Sequence, residues 1–434
     1  MGSMIGSGIF IVPAAMSREL GSPLMLLIAW LLTAILTILA AICYGELAAM
    51  MPKAGGQYVY LREAYNRLFG FLYGWTLFAV IQTGTIAAVA VAFAKFTGVF
   101  ASTISQQNSI LNLGPFNISS QQLLAIVVVW VLTFSNFRNV KSGALLQNIF
   151  TVTKIGVIIL MIIAGVYFAA THDTVSQNYT LPSETATFSY WGVFCVALVG
   201  SIFSSDAWNN ITFTGGEIDK PERNLPLSLV LGTSIVLLIY FFINWVYLQV
   251  LSFDAIQHAE NDRVGTVMLQ EVFGNWGMYA MAALIMVSTF GCINGLTLSG
   301  SRVYYAMAKD GLFFKHAGTL NNNGSPQFAL VIQAIWTSIL TLSGSYGDLL
   351  DYVVFAVLLF YILTVAGIFL LRYKQPKTYR PYRVFAYPYL PIIYIALALF
   401  ICINLLVYKP NYTYPGLGIV LLGIPIYFVL PKLK

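Results

Sequence analysis

From Leu24 to Met50 the only charged residue is Glu46. About twenty apolar residues suffice for a helix to cross the hydrocarbon core of a bilayer, so this run alone predicts a membrane span. Runs of the same kind recur along the whole chain. We place spans at Met4–Ala15, Leu24–Met50, Phe71–Phe96, Leu123–Phe137, Ile149–Ala169, Tyr190–Thr214, Leu227–Leu251, Trp276–Tyr305, Ala329–Ser343, Leu349–Leu371, Tyr389–Tyr408 and Leu417–Leu430. Hydrophobic residues make up 59% of the 434 and charged residues 9%, too little charge to cover the surface of a water-soluble domain. Backbone groups in lipid must be satisfied within their own segment, so runs of this length are helices. The fold class expected is an all-α integral membrane protein of about twelve spans.

The net charge is +6. The basic residues lie in short loops rather than in one patch, so no nucleic-acid partner is expected; in such loops Lys and Arg orient the chain in the membrane. One side holds Lys53, Arg62, Arg67, Arg138, Lys141, Lys220, Arg223, Lys309, Lys315, Arg372, Lys374, Lys377, Arg380, Arg383, Lys432 and Lys434. The other holds Arg18, Arg263 and Lys409, with Lys95 at the end of a span. The basic side is expected to be cytoplasmic, with both termini there, in the inner membrane of the cell. Asp254, Glu260, Asp262 and Glu271 then fall in an outer loop. A segment rich in Lys, Arg, Pro and Tyr, 372–388, separates a core, 1–371, from a final helix pair, 389–434.

Cys43, Cys195, Cys292 and Cys402 are isolated inside apolar runs and read as small apolar fillers, so neither a disulfide framework nor a metal site is expected. No cofactor motif is present. His172, His258 and His316 fall in loops without a nucleophile–base pairing, and an enzyme is not expected. The start, Met1-Gly2-Ser3-Met4, lacks the charged n-region of a signal peptide. The first run is too short to cross alone, and the chain is expected to begin partway through a helix.

Two runs are interrupted. The first carries Gly2, Gly6 and Gly8, which leave a helix free to unwind; the same small residues also suit a close-packed helix face. The sixth carries Phe203-Ser204-Ser205-Asp206-Ala207-Trp208-Asn209-Asn210. An Asp at that depth costs several kcal/mol unless it faces a cavity or a partner. A capping Asp would itself require a helix break. Breaks five spans apart are the pattern of an inverted-repeat transporter. Broken helices expose amides at one half-helix and carbonyls at the other, a charge pair that matches a zwitterion such as an α-amino acid.

At these residues the sequence resembles the L-amino acid transporters of the amino acid–polyamine–organocation superfamily, relatives of the light subunits of heteromeric amino-acid transporters. The resemblance rests on Gly2-Ser3-Met4-Ile5-Gly6-Ser7-Gly8-Ile9-Phe10, on Tyr44-Gly45-Glu46-Leu47 with Pro52-Lys53-Ala54-Gly55-Gly56-Gln57-Tyr58, and on Phe203 to Asn210. It extends to the stretch from Glu217 to Pro226, to Ser301-Arg302 with Asp310-Gly311, and to Leu371-Arg372 with Arg380-Pro381. It implies a LeuT-type five-plus-five inverted repeat, residues 1–170 and 189–371, with two additional C-terminal helices and with spans 1 and 6 broken.

The resemblance also implies substrate binding at Met4, Ile5, Gly6, Ser7, Gly8, Phe203, Ser204, Asp206 and Asn209. The carboxylate is expected at amides around Ser7 and Gly8. The ammonium is expected at carbonyls of Met4, Ile5, Phe203, Ser204 and Asp206. The ring of Phe203 would close over the substrate as a gate. Lys154 lies inside an apolar run, where an unpaired ammonium is expensive. It either snorkels to the membrane edge or, as in the resembled family, stands where sodium-coupled relatives hold a sodium ion. In the second case it bonds the first break and a polar group of the eighth span: Ser288, Thr289 or Asn294. Light subunits that bond a heavy chain use a cysteine between the third and fourth spans. Phe100 to Gln122 contains none, so no disulfide-linked heavy subunit is expected.

The expected function is sodium-independent exchange of small neutral L-amino acids such as alanine, serine and cysteine. Proton-coupled import, and a carrier that also accepts cationic amino acids through Asp206, stay open. A channel or receptor calls for a continuous polar stripe or a large ligand domain, and neither is evident.

Overall fold

The computed structural model describes residues 1–113, 116–137, 140–172, 177, 179–182, 187–343 and 346–429. Among them the chain is helical almost throughout. The helices are α1 (Gly8–Leu20), α2 (Pro23–Met50), α3 (Gln57–Ala64), α4 (Arg67–Thr76), α5 (Gln82–Thr97), α6 (Ser120–Ser135), α7 (Val140–Thr171) and α8 (Phe188–Ser204). There follow α9 (Pro221–Val250), α10 (Phe253–Gln257), α11 (Val264–Phe273), α12 (Asn275–Lys309), α13 (Gln327–Ser343), α14 (Tyr346–Lys374), α15 (Tyr389–Tyr408) and α16 (Pro410–Val429). Nine helical stretches among the described residues are long and apolar enough to cross a membrane. Helices α6 and α13 are apolar but shorter. Arg138, Leu430, Lys432 and Lys434, assigned above from sequence, lie outside the described residues, as does the side chain of Lys141.

The structure shifts several boundaries. The first helix runs from Gly8 to Leu20 rather than from Met4 to Ala15, because residues 2–7 form turns. The sixth run splits into α8 and a 3₁₀ helix, Trp208–Glu217. Helix α14 continues through Lys374, so the segment before the final pair starts later than Arg372. The all-α expectation is amended by a small antiparallel hairpin, Ser109–Leu113 with Phe116–Ser119, in the loop before α6. A loop outside the apolar runs has no lipid to force it helical.

Burial orders the bundle. The stretch Arg67–Thr97 is its centre, with 89% of its apolar window buried, against 22% for Asn148–Thr171 and for Pro410–Val429. Inside it a π turn, Leu77–Ile81, links α4 to α5. Helix α7 is peripheral, and Val152, Leu160 and Tyr167 are exposed as a lipid-facing surface. Its inner stripe is Lys154, Ile158 and Met161, all buried, at the i, i+4, i+7 spacing of one helix face. Gly165 continues that stripe, where a Cβ would stand 2.3 Å from Val246 of α9.

The motifs of the basic end pair off across long sequence distances. Glu46 of α2 is 1% exposed and accepts Arg372 Nε (2.9 Å) and Nη2 (2.6 Å), with Arg380 Nε at 3.3 Å. It also accepts the backbone N–H of Val384 (2.8 Å). The segment after α14 is thereby fastened to α2. Asp310 accepts Tyr58 Oη (2.7 Å) and forms an ion pair with Arg62. Gly56, at φ +46°, turns the loop before α3 into the 3₁₀ helix, where a Cβ would meet Thr212 Oγ1 at 2.2 Å; only glycine suits both demands.

Candidate functional site

The turn segment 2–7 before α1, the expected first break, lies against the end of α8, where the sixth run is interrupted. A Cβ on Gly8 would meet Ser204 Oγ at 2.2 Å and the Ser204 Cα at 3.0 Å. One turn further, Gly200 packs on Val12 in the same way, 2.3 Å from a built Cβ to Val12 Cγ1. The N-terminus of α1, with no side-chain cap, thus adjoins the C-terminus of α8. An uncapped helix start offers N–H groups and a partial positive charge; a helix end offers carbonyls and a partial negative one.

Residues 2–7 are held by their carbonyls. Lys154, 3% exposed, donates from Nζ to Gly2 O (2.7 Å) and to Ile5 O (3.0 Å). Its ammonium therefore turns into the bundle rather than toward a membrane edge. Ser288 of α12 donates to the same Ile5 O (3.2 Å). Cys292 Sγ donates to Ser3 O (3.0 Å), so this thiol is more than an apolar filler. Tyr240 of α9 donates to Met4 O (3.0 Å). A carbonyl has two lone pairs, and Ile5 O already receives two donors. Of the other eighth-span candidates, Thr289 bonds carbonyls of its own helix, Ile285 O (2.9 Å) and Met286 O (3.0 Å). Asn294 accepts Asn136 Nδ2 of the α6 end (2.9 Å).

The second break centres on Ala207, whose φ of +63° stops α8 and lets the 3₁₀ helix leave in a new direction. Ser204 and Ser205 back-bond to Gly200 O (2.8 Å) and Ser201 O (2.7 Å). Asp206 Oδ1 accepts Tyr361 Oη of α14 (2.6 Å). Phe203 is buried in the last turn of α8. Asn209, also buried, donates to Gln57 Oε1 (3.0 Å), and Gln57 Nε2 donates on to Thr364 Oγ1 of α14 (3.0 Å). Trp208 packs edge-on against Tyr44 at 4.8 Å and tilts over Tyr361 at 5.3 Å.

Among the residues expected at the site, Gly8 at the start of α1 meets Ser204 at the end of α8, with Phe203 and Asp206 close to Ser204 along the chain. Asn209 sits one step aside, on Gln57. Three contributors had no assigned role: Gln57, Tyr361 and the π turn. Gln57 lay inside a quoted loop motif, but its side-chain partners come from α14 and the 3₁₀ helix. Tyr361 is one tyrosine in an apolar run. Leu77 and Ile81 of the π turn border a small void, about 10 Å³, beside Asp206 and Tyr361. π turns gather at functional sites.

A larger cavity, about 400 Å³, reaches both breaks from the basic end, bordered by Gly2, Ser3, Trp208, Asn210 and Ser299. The ion pair of Glu217 with Arg302 (2.8 Å) also borders it.

Long apolar helices, two breaks in contact and a cavity leading to them define a membrane carrier for a small polar solute. The chain belongs to the amino acid permease family, whose model matches residues 1–430. It is a multi-pass membrane protein and not an enzyme. It is 29% identical to the serine/threonine exchanger SteT of Bacillus subtilis, over all of this chain and 95% of that one. It is 28% identical to the large neutral amino acids transporter small subunit 2 of Homo sapiens, over 99% of this chain and 78% of that one. To the b(0,+)-type amino acid transporter 1 of Mus musculus it is 27% identical, over 95% and 82%.

Proposed function

We propose that the protein exchanges small neutral L-amino acids such as alanine, serine and cysteine across the cytoplasmic membrane, by alternating access and without sodium. The meeting of the α1 start with the α8 end at Gly8 and Ser204 carries this reading. The substrate carboxylate takes amides around Ser7 and Gly8, and the ammonium takes carbonyls at Ser204 and Asp206. Phe203 closes the outer side of the site. Lys154 supplies at the first break the positive charge that a sodium ion supplies elsewhere, and its two carbonyl bonds support that role.

The architecture in this proposal has twelve spans: α1 as a partial first, then α2, α4 with α5, α6, α7, α8 with its 3₁₀ extension, α9, α12, α13, α14, α15 and α16. The first ten form a five-plus-five inverted repeat of the LeuT type, the last two are additional, and the basic end is cytoplasmic. No heavy subunit is disulfide-linked, so the protein runs as one unlinked chain on non-reducing gels.

The test is uptake of labelled L-serine into proteoliposomes. Replacing external sodium with choline is expected to leave the initial rate unchanged, and unlabelled serine inside is expected to raise it. A several-fold fall without sodium overturns sodium independence. Equal rates with and without internal serine overturn exchange, and a rate that follows an imposed pH gradient identifies proton-coupled import instead. A second reading, a carrier that also accepts cationic amino acids, is favoured by the Asp206 carboxylate at the break; competition by unlabelled arginine decides it.

A further inference from the structure

At the end of the bundle opposite the basic rim lies a chamber of about 590 Å³ that the central site does not use. Its walls come from α5, from the loop after it, from the start of α6 and from the loop between α10 and α11. They are tied rather than loosely apposed. Ser120 Oγ donates to Thr103 O (2.8 Å), Gln121 Nε2 to Val91 O (3.2 Å), and Arg263 Nη2 to Lys95 O (2.6 Å).

The lining carries both signs of charge. Lys95 and Arg263 are positive; Glu260 and Asp262 are negative. These groups are incompletely matched. Asp262 is drawn to Arg18 of α1 (2.8 Å), which leaves its other oxygen 3.6 Å from Lys95 Nζ, beyond a hydrogen bond. The Lys95 side chain is nevertheless only 16% exposed. Arg263 Nε is buried with no hydrogen-bond partner among the described residues. Glu260 is exposed, accepts Asn261 Nδ2 at 3.4 Å, and has no ion pair among the described residues. A half-buried cationic group without a full partner carries a desolvation cost, and an incoming carboxylate relieves that cost. The volume lies in the range of small-molecule sites, about 300–1,000 Å³. A plain anion meets repulsion from Glu260 and Asp262, and a plain cation meets it from Lys95 and Arg263. A zwitterion is matched at both ends.

We propose that this chamber is a second, outer binding site for a zwitterionic amino acid, with the carboxylate on Lys95 and Arg263 and the ammonium on Glu260. The choice of ligand rests on the function proposed above. A carboxylate on Lys95 competes with Asp262, and Asp262 also holds Arg18 of α1, the helix whose start forms the first break. Loading of the outer site is thereby connected to the element that must move to admit substrate.

Equilibrium binding of labelled L-alanine to the purified full chain, at saturating label, tests this by stoichiometry. Two molecules per chain are expected for the unmodified protein, and one each for Lys95→Gln and Glu260→Gln. Gly8→Val, which obstructs the central site, is expected to retain one. Size-exclusion profiles establish that each variant is folded, and exposed Glu260 keeps the test open if Lys95→Gln is not. One molecule in the unmodified protein with none in Gly8→Val overturns the outer site and leaves the transport reading standing. Two molecules in every charge variant overturn it as well. A protein that binds no neutral amino acid removes both proposals.

Discussion

The two helix breaks are built on opposite principles. The first carries three glycines among residues 2–8, and besides its own turns it depends on side chains from other helices. Its carbonyls are held from outside: Gly2 and Ile5 by Lys154 of α7, Ile5 and Ser3 by Ser288 and Cys292 of α12, and Met4 by Tyr240 of α9. The second is made of short polar residues and holds much of itself. Ser204, Ser205 and Thr212 bond backbone within the same segment, while Asp206 and Asn209 reach outward, to Tyr361 and Gln57. The carbonyls of the first break therefore depend on the surrounding helices for their donors, whereas several bonds of the second are local to its own segment.

The largest effect is expected where the two breaks touch. Gly8→Val places carbon against Ser204, including its backbone, where nothing flexible can yield. Overpacking of this kind costs about 1–3 kcal/mol, and here it also displaces α1 from α8. Serine exchange in proteoliposomes is expected to be abolished while the variant still elutes as a folded monodisperse protein. Measurable exchange near the wild-type rate removes this contact from the site.

Next comes the external support of the first break. Lys154→Ala takes the Lys154 donor from Gly2 O and leaves Ile5 O with Ser288 alone, at about 1–3 kcal/mol for a buried group left unsatisfied. Exchange is expected to fall at least tenfold, the factor that about 1.4 kcal/mol produces. Lys154→Arg is not expected to restore it, since a planar fork does not fill the place of a compact ammonium. Full activity in the arginine variant sinks the sodium-surrogate role.

A smaller loss belongs to the proposed gate. Phe203→Ala removes a buried ring, about 3 kcal/mol when burial is complete; only the share that changes as the gate opens reaches transport. A several-fold higher KM with kcat little changed is the expected outcome, and wild-type kinetics contradict gating.

The smallest effect separates the two breaks most finely. Gln57→Ala removes the relay from Asn209 to Thr364, about 1 kcal/mol per neutral hydrogen bond. Because the second break holds much of itself, exchange is expected to drop by less than the Lys154 variants show. A collapse equal to that of Lys154→Ala, in matched proteoliposomes, erases the contrast between the breaks.

Much of the second break was legible in sequence because its information is local. Asp206 among apolar residues and the run of serines and asparagines announce an interruption wherever the segment packs. The first break was legible only as a tendency, since three glycines serve an unwound turn and a packed helix face equally well. Lys154 was ambiguous for a related reason. Position along the run could not decide between the membrane edge and the bundle interior, whereas its register with Ile158, Met161 and Gly165 puts it on the inner stripe of α7.

The sequence by itself determined the solvent of this protein, its helical class and the interruption at Asp206, and it left the first break as a tendency. Those properties follow from hydrophobicity summed along one segment and from backbone freedom at one residue, and neither needs a neighbour. Tertiary structure alone decided that Gly8 meets Ser204, that Ser288 rather than Thr289 or Asn294 shares a carbonyl with Lys154, and that Gln57 stands behind Asn209. Each of these is a contact of a few ångströms between segments distant in sequence. Hydrogen bonds and steric fit depend on ångström-scale distances, which helix packing sets and residue order does not.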